Sequence, residues 1–536
     1  MTPLIAEDSH SMQQADADAS ASRMGGLQIA AATLLGVAVA FMVWRIAWVT
    51  EDCFITFRYV TNTLAGHGAV FNAGEFSQGY THPLWFTLLL VGGSFVPDLI
   101  LLSCGLGLLL TVATQFLMTR SLILVGGNSL RGVLAAALFA LVCVSSNSWL
   151  SFQTGGLENA LSHLLFVILI GEIFRHDLER PFVISALGSL LVLNRPDFAF
   201  SILPIAVVLL PQLRDPLSRR AIVLGALPLA IWIVFAFFYY GDIAPNSAHA
   251  KVGILPTWWD GILQGGVYLG DWIRHEPIPA LGAGLALVYA TLRARTSAQV
   301  ALAAGIWLQM GYVILIGGDF MRGRFLLSIF VAGLAFGLCR LVADLREREA
   351  PGWLIAIPLV LAFVALPFAP DPEAAGNLQV PKSGIVDERL FYPGYRIDTY
   401  LERGRIQNPY FSLSLADELR AYAAACGPVT VHARNPGTLG YLAGPEVTVI
   451  DPLGLTDAFI ARLPKQRLIS KRPRIGHPDK SIPLAYLAKR GDIAFLKGWP
   501  QAVAQRECDF RTLPARYVNS EEDWLPGNFY PPNPEG

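Results

Sequence analysis

Two adjacent carboxylates, Glu51 and Asp52, stand where the first long apolar run ends and a polar, Gly- and Asn-rich loop begins. Ionised side chains so close to hydrocarbon are costly, and where they occur they mark sites of function. A carboxylate at that depth can take the proton of a hydroxyl, attack carbon directly, or ligate a metal. The same loop carries Arg58, Tyr59, Asn62, Asn72, Glu75 and Tyr80. Later loops predicted to share its face carry Glu158 (SFQTGGLEN), Arg195 and Asp197 (NRPD), and Asn246, His249 and Lys251 (YYGDIAPNSAHAK). GGDFMRGRF adds Asp319, Arg322 and Arg324.

Guanidinium and ammonium groups facing an acid suit a departing phosphate. Arg195, Lys251, Arg322 and Arg324 are therefore assigned to a phosphate-bearing donor, together with Arg58 and Asn246. Tyr59, Asn62, Tyr80, Glu158, Asp197, His249 and Asp319 are assigned to the sugar or the acceptor. No Walker sequence, Gly-rich nucleotide loop or triad motif competes. The chemistry that fits is glycosyl transfer from a lipid phosphate without a nucleotide. No cofactor is demanded; a divalent cation on Glu51, Asp52 and His249 is the one candidate, and the metal ligands stay open. Bland readings hold elsewhere: Arg45 is a snorkelling anchor, and NAGE (72–75) is as much a turn as a ligand contact.

The elements that must hold these residues are membrane helices. With 53% hydrophobic residues, 15% charged and a mean hydropathy of +0.47, the 536-residue chain is too apolar for a soluble protein. Its net charge of −1 and lack of a basic stripe exclude nucleic acid as partner. Apolar runs predict spans at 27–49, 99–119, 131–147, 157–174, 182–194, 198–211, 220–239, 278–292, 299–317, 324–343 and 353–369. Pro83–Val96 is too short and reads as re-entrant or juxtamembrane. That choice puts RHDLER, PQLRDPLSRR, RARTS and LREREA on the cytoplasmic side, giving about eleven spans with the N-terminus in and the C-terminus out.

Residues 1–26 read as a disordered cytoplasmic tail, 27–370 as the transmembrane catalytic domain, and 371–536 as an extracytoplasmic α/β domain. In the last, Leu415, Leu419 and Tyr422 recur at helical spacing, and GPVTVHA and EVTVID read as strands. No CxxC spacing occurs among the six cysteines. Cys426 and Cys508 both fall in the outer region, where a disulfide between them is plausible.

These motifs resemble the GT-C superfamily of polyprenyl-phosphate-sugar glycosyltransferases. More narrowly, they are similar to the AftB-type (ZomB-like) terminal β-(1→2)-arabinofuranosyltransferases. The strings that carry the likeness are EDCFITFRYVTNTLAGHGAVFNAGE…GYTHPLW, TGGLENAL, NRPDF, GDIAPNSAHAK and GGDFMRGRFLL, followed by GIVDERLFYPG, GTLGYLAGPEVTVIDPLGLTD and RIGHP. They run from about residue 45 to 480. The resemblance implies a GT-C fold in the bacterial plasma membrane, with Asp52 as catalytic acid beside Glu51. Many relatives carry Asp-Asp where this chain has Glu-Asp, so the carry-over of the catalytic role is to Asp52. The resemblance also implies a polyprenyl-phospho-arabinofuranose donor and an envelope arabinan or other glycan acceptor. The outer domain resembles the family's extracytoplasmic module, for which glycan binding is the expectation. Asp387, Glu388 and Arg389, soon after the last span, are assigned to the acceptor groove. Retention and inversion both stay open.

Overall fold

The computed structural model describes residues 25–251, 254–365, 380–407, 413–433 and 435–464, with short stretches between 468 and 494. The 1–26 tail (apart from residues 25 and 26) and Cys508 lie outside the described residues, so the Cys426–Cys508 pairing stays an expectation.

The membrane part begins with α1 (Gly26–Trp44), α2 (Cys53–Leu64), α3 (Pro83–Gly93), α4 (Leu99–Val125), α5 (Leu130–Val144) and α6 (Asn147–Gln153). It continues through α7 (Asn159–His176), α8 (Pro181–Asn194), α9 (Ala199–Leu209), α10 (Pro216–Tyr240), α11 (Asn246–Lys251) and α12 (Trp258–His275). It closes with α13 (Pro277–Leu292), α14 (Ser297–Leu315), α15 (Leu327–Glu347) and α16 (Trp353–Ala365). Proline opens α3, α8, α10 and α13 at the position where its missing N–H costs nothing. Asp98, Asp215 and Thr296 cap α4, α10 and α14 through their side chains.

Among the described residues, six helices are long and apolar enough to cross a membrane, or seven if the bent pair α5–α6 is one span. The protein is a multi-pass membrane protein. These helices correspond to six or seven of the eleven expected spans; the expected spans 157–174, 182–194, 278–292 and 353–369 fall on helices outside that set. Pro83–Gly93, Pro181–Asn194 and Pro277–Leu292 are shorter apolar helices, and the polar end of α7 carries Glu172 and Arg175. α15 is the central helix: 89% of its apolar window is buried, against 11% for α10 at the periphery. The α5–α6 bend of 88° is fastened by the buried Glu276, which accepts from Ser148 N (2.7 Å), Ser148 Oγ (2.6 Å) and Trp272 Nε1 (3.1 Å), and from Ser146 Oγ.

Three of the basic loops meet at one end of the bundle. Asp344 accepts from Arg293 Nε (3.0 Å), Arg295 (2.7 Å) and Arg340 (2.5 Å), and Thr296 Oγ1 donates to Asp177 at 2.9 Å. Arg324 lies at the opposite end of α15, which at 1.5 Å per residue is about 30 Å away.

After residue 380 come α17 (Glu388–Phe391), α18 (Ile397–Arg403), α19 (Leu413–Cys426), β1 (Val429–His432), α20 (Pro436–Ala443), β2 (Val447–Ile450), α21 (Ala458–Ala461) and β3 (Ile493–Ala494). The strands form a parallel sheet of order β2-β1-β3, with α20 as the crossover between β1 and β2. Both β-branched runs are strands, and Leu419 and Tyr422 are buried on α19.

This unit is docked on α2, a helix inside the stretch expected to be loop. Gly437 and Gly440 of α20 allow the close approach: a Cβ at Gly437 would meet the Glu51 carbonyl at 2.6 Å, and one at Gly440 the Arg58 guanidinium at 2.4 Å. Across this contact Glu51 Oε1 accepts from Thr438 N (2.9 Å), Arg58 donates to the Val447 carbonyl (2.6 Å), and Asn72 bonds both backbone groups of Val449 (3.0 Å each).

Candidate active site

Asp52 is the first residue of the α2 turn, yet its carboxylate makes no capping bond there. It faces a cavity of about 200 Å³ instead, whose wall also holds Tyr80, Arg195, Asp197, Lys251, Asp319 and Arg324. All but Lys251, the last residue of α11, come from breaks between the α-helices. Arg195 ends α8 in an extended conformation (φ −154°, ψ 120°), because Pro196 disfavours helix at the residue before it. Asp319 and Arg324 come from a turn that requires glycine: Gly318 has φ +74°, and a Cβ there would meet the Tyr268 ring at 2.3 Å.

The charges interlock. Arg324 lies 3.6 Å from Asp52, 3.5 Å from Glu158 and 3.7 Å from Asp319. Arg195 donates to Glu158 (3.0 Å) and, through two nitrogens, to Asp197 (3.0 and 3.1 Å), with its guanidinium 4.4 Å from the centre of the Phe325 ring. Glu158, fully buried under the cavity wall, also lies 3.1 Å from His82 Nδ1, whose Nε2 meets Thr56 Oγ1 at 2.8 Å. Lys251 differs: among the described residues it makes no hydrogen bond or close ion pair, and its ammonium acts on the Asp319 carboxylate only at longer range across the cavity. An incoming anion would find that ammonium without a direct hydrogen bond, whereas Arg195 and Arg324 lie within 4 Å of carboxylates.

Other expected site residues lie elsewhere. Glu51 does not line the cavity. Successive helical residues point about 100° apart, so when Asp52 faces inward its neighbour faces α20. Burial first, and the Asp52 charge second, push the Glu51 carboxyl up to about 8. Arg58 is spent on Phe71 O, Asn72 and Val447 O, and burial lowers it to about 9. Tyr59 donates to Ser77 O (2.6 Å) and accepts from Gly79 N (2.8 Å), while Asn62 donates to Val70 O and Phe71 O (2.9 Å each). These three fasten the 68–80 segment onto α2. Asn246 donates through its backbone to Gln78 O, and His249 pairs with Asp242 at 2.9 Å. Arg322 and Asp387 line a different cavity, and Arg389 is buried.

Glu51, Asp52 and His249 therefore do not converge, and among the described residues no group of three His, Cys, Asp or Glu side chains is placed to hold a metal.

His82 was missed, although it stands in GYTHPLW; nothing in that string announces that its ring reaches Glu158. Glu388, expected at an acceptor groove, is buried close to Asp52, and burial, then the Asp52 charge, push it well above the usual carboxylate range. The cavity also takes Leu455 and Ile475 from the unit after residue 380. The Leu455 loop is shaped by the buried Asp451, which accepts from Leu453 N, Leu455 N and Thr456 N at 2.6–3.0 Å.

The molecule is thus a multi-pass helical membrane protein with an acid and cations around a small cavity at one end of the bundle. No family model matches the chain. Its sequence is 28% identical to the terminal beta-(1->2)-arabinofuranosyltransferase of Mycobacterium tuberculosis, over 88% of this chain and 87% of that protein. It is also 28% identical to the protein of the same name from Corynebacterium glutamicum, over 68% of this chain; there it spans 57% of the relative's length. The resemblance carried by the motifs therefore extends along most of the chain. Among solved structures, ArnT from Cupriavidus metallidurans bound to undecaprenyl phosphate aligns with a TM-score of 0.40 and 14% identity, covering 80% of this chain and 76% of that one. Its apo form aligns with a TM-score of 0.37.

Proposed function

We propose that the protein is a membrane glycosyltransferase that moves an arabinofuranosyl residue from a polyprenyl-phospho-arabinofuranose to a glycan acceptor of the cell envelope. The observation that carries this reading is one cavity lined by both Asp52 and Lys251, with Arg324 beside the acid. The bond between the sugar's anomeric carbon and the phosphate oxygen breaks, and one from the acceptor oxygen forms. Lys251 and Arg324 stabilise the charge that grows on the departing phosphate. Asp52 either takes the acceptor's proton, which inverts the anomeric centre, or attacks it first, which retains it. The choice of sugar rests on the names of the relatives.

In this reading the membrane is the bacterial plasma membrane, and the cavity and the unit after residue 380 face outward. The basic loops joined through Asp344 and Asp177, at the other end of α15, support that orientation.

The test is transfer from synthetic polyprenyl-phospho-arabinofuranose to a short arabinan, comparing wild type with Asp52→Asn and reading the anomer of the product. Equal product from both proteins would overturn the catalytic assignment. Transfer of a different polyprenyl-linked sugar in place of arabinose would keep the reaction and change the donor.

A further inference from the structure

The turn that sends Asp319 and Arg324 to the Asp52 cavity sends Arg322 to another, of about 730 Å³, which shares no lining residue with the first. One wall of this second cavity is a face of α12, where Val267, Gly270, Asp271 and Arg274 recur at helical spacing. The other is the segment 381–391, which carries Asp387.

Two cations here have free capacity. Arg322 is braced by Nε donating to Asp271 at 2.7 Å, and its terminal nitrogens have no partner among the described residues. Arg274 is exposed and makes no ion pair or hydrogen bond among the described residues. The carboxylate of Asp387 accepts from the backbone of Arg389 at 3.2 Å and keeps lone pairs for another donor. Along α12, Trp259, Leu263 and Val267 are 53, 55 and 46% exposed, an apolar strip that leads to Arg274. Exposed tryptophan beside an apolar strip belongs at the level of lipid headgroups.

We infer that this second cavity binds an anionic phospholipid with a hydroxylated headgroup. The phosphate sits on Arg274 and Arg322, a headgroup hydroxyl donates to Asp387, and the acyl chains lie along the strip. A soluble phosphate would leave the strip unused, and a headgroup without hydroxyls would leave Asp387 facing the phosphate.

The test uses the full chain in nanodiscs, with retained lipid counted by native mass spectrometry. Wild type retains phosphatidylglycerol over both phosphatidylcholine and phosphatidic acid. Arg274→Gln, at an exposed position, lowers phosphatidylglycerol retention about tenfold, the scale of one charge-assisted hydrogen bond. Asp387→Asn narrows the preference over phosphatidic acid. Equal retention of phosphatidylglycerol and phosphatidylcholine, or no change in Arg274→Gln, would overturn the site. Displacement by soluble glycerophosphoglycerol as effectively as by lipid would overturn its lipid character.

Discussion

The Arg324 guanidinium stands 3.6 Å from the Asp52 carboxylate while being only 7% exposed, against 22% for the acid. The cation is thus the buried partner, and the acid is the one a substrate can reach. Removing a buried partner leaves its carboxylates uncompensated. Arg324→Gln is expected to destabilise the protein by about 3–5 kcal/mol as well as abolish transfer. Arg324→Lys keeps the charge and should unfold close to wild type with reduced turnover. Thermal unfolding and transfer rates, measured on the same preparations, separate the two effects.

Asp52→Asn should unfold at the wild-type midpoint and lose about 10²–10⁴-fold in turnover, the usual yield of a positioned acid–base group. A loss of stability comparable to that of Arg324→Gln would mean that Asp52 serves chiefly as a counter-ion.

Lys251→Gln removes the cation at the cavity wall that makes no direct ion pair among the described residues. The expected outcome is a rise of about tenfold or more in KM for the lipid-phosphate donor, with KM for the acceptor unchanged. Steady-state kinetics with each substrate varied in turn distinguish this from a general loss of activity.

The Glu51 carboxyl is raised from 4.5 to about 8 in the folded protein. A raised carboxyl means that the folded state holds a proton the unfolded chain has released. Its stabilising contribution is complete below about pH 4.5 and falls away as pH rises through 8. Glu388 and Asp451, the latter raised to about 6, act with the same sign. Unfolding midpoints should therefore decline between pH 5 and 8, and Glu51→Gln should flatten part of the decline while leaving most of the turnover. A steeper decline in the variant would be the wrong sign for this account.

Gly437→Ala places a methyl group 2.6 Å from the Glu51 carbonyl, a backbone atom that cannot swing aside. Overpacking of this kind costs about 1–3 kcal/mol. Faster limited proteolysis between residues 403 and 464, with the bundle intact, is the expected signature.

Much of the site was legible because chain breaks between apolar runs are conspicuous. Asp52, Arg195, Lys251, Asp319 and Arg324 were all picked from such breaks, and the fold brings them to one cavity. What the sequence hid was direction. Glu51 and Arg322 are of the right type in the right segments, but side-chain direction at a helix start and in a tight turn is set by backbone angles that composition does not report. The amphipathic α2 and α12 were read as loop because their polar faces diluted the apolar signal. His82 and Glu158, 76 positions apart, meet only through the packing of their segments. The part that the unit after residue 380 plays in the cavity was equally invisible, because Leu455 and Ile475 are ordinary apolar residues until the chain folds back onto the cavity of Asp52.

That fold-back bears on anyone who would cut or graft this chain. Leu455 reaches the cavity on a loop whose shape depends on Asp451, and β2, just before it, is tied to α2 through Arg58 and Asn72. A truncation before residue 437 would take away part of the wall of the Asp52 cavity along with an appendage. A chimera with a relative keeps this wall intact only if residues 51–80 and 437–457 are inherited from the same parent.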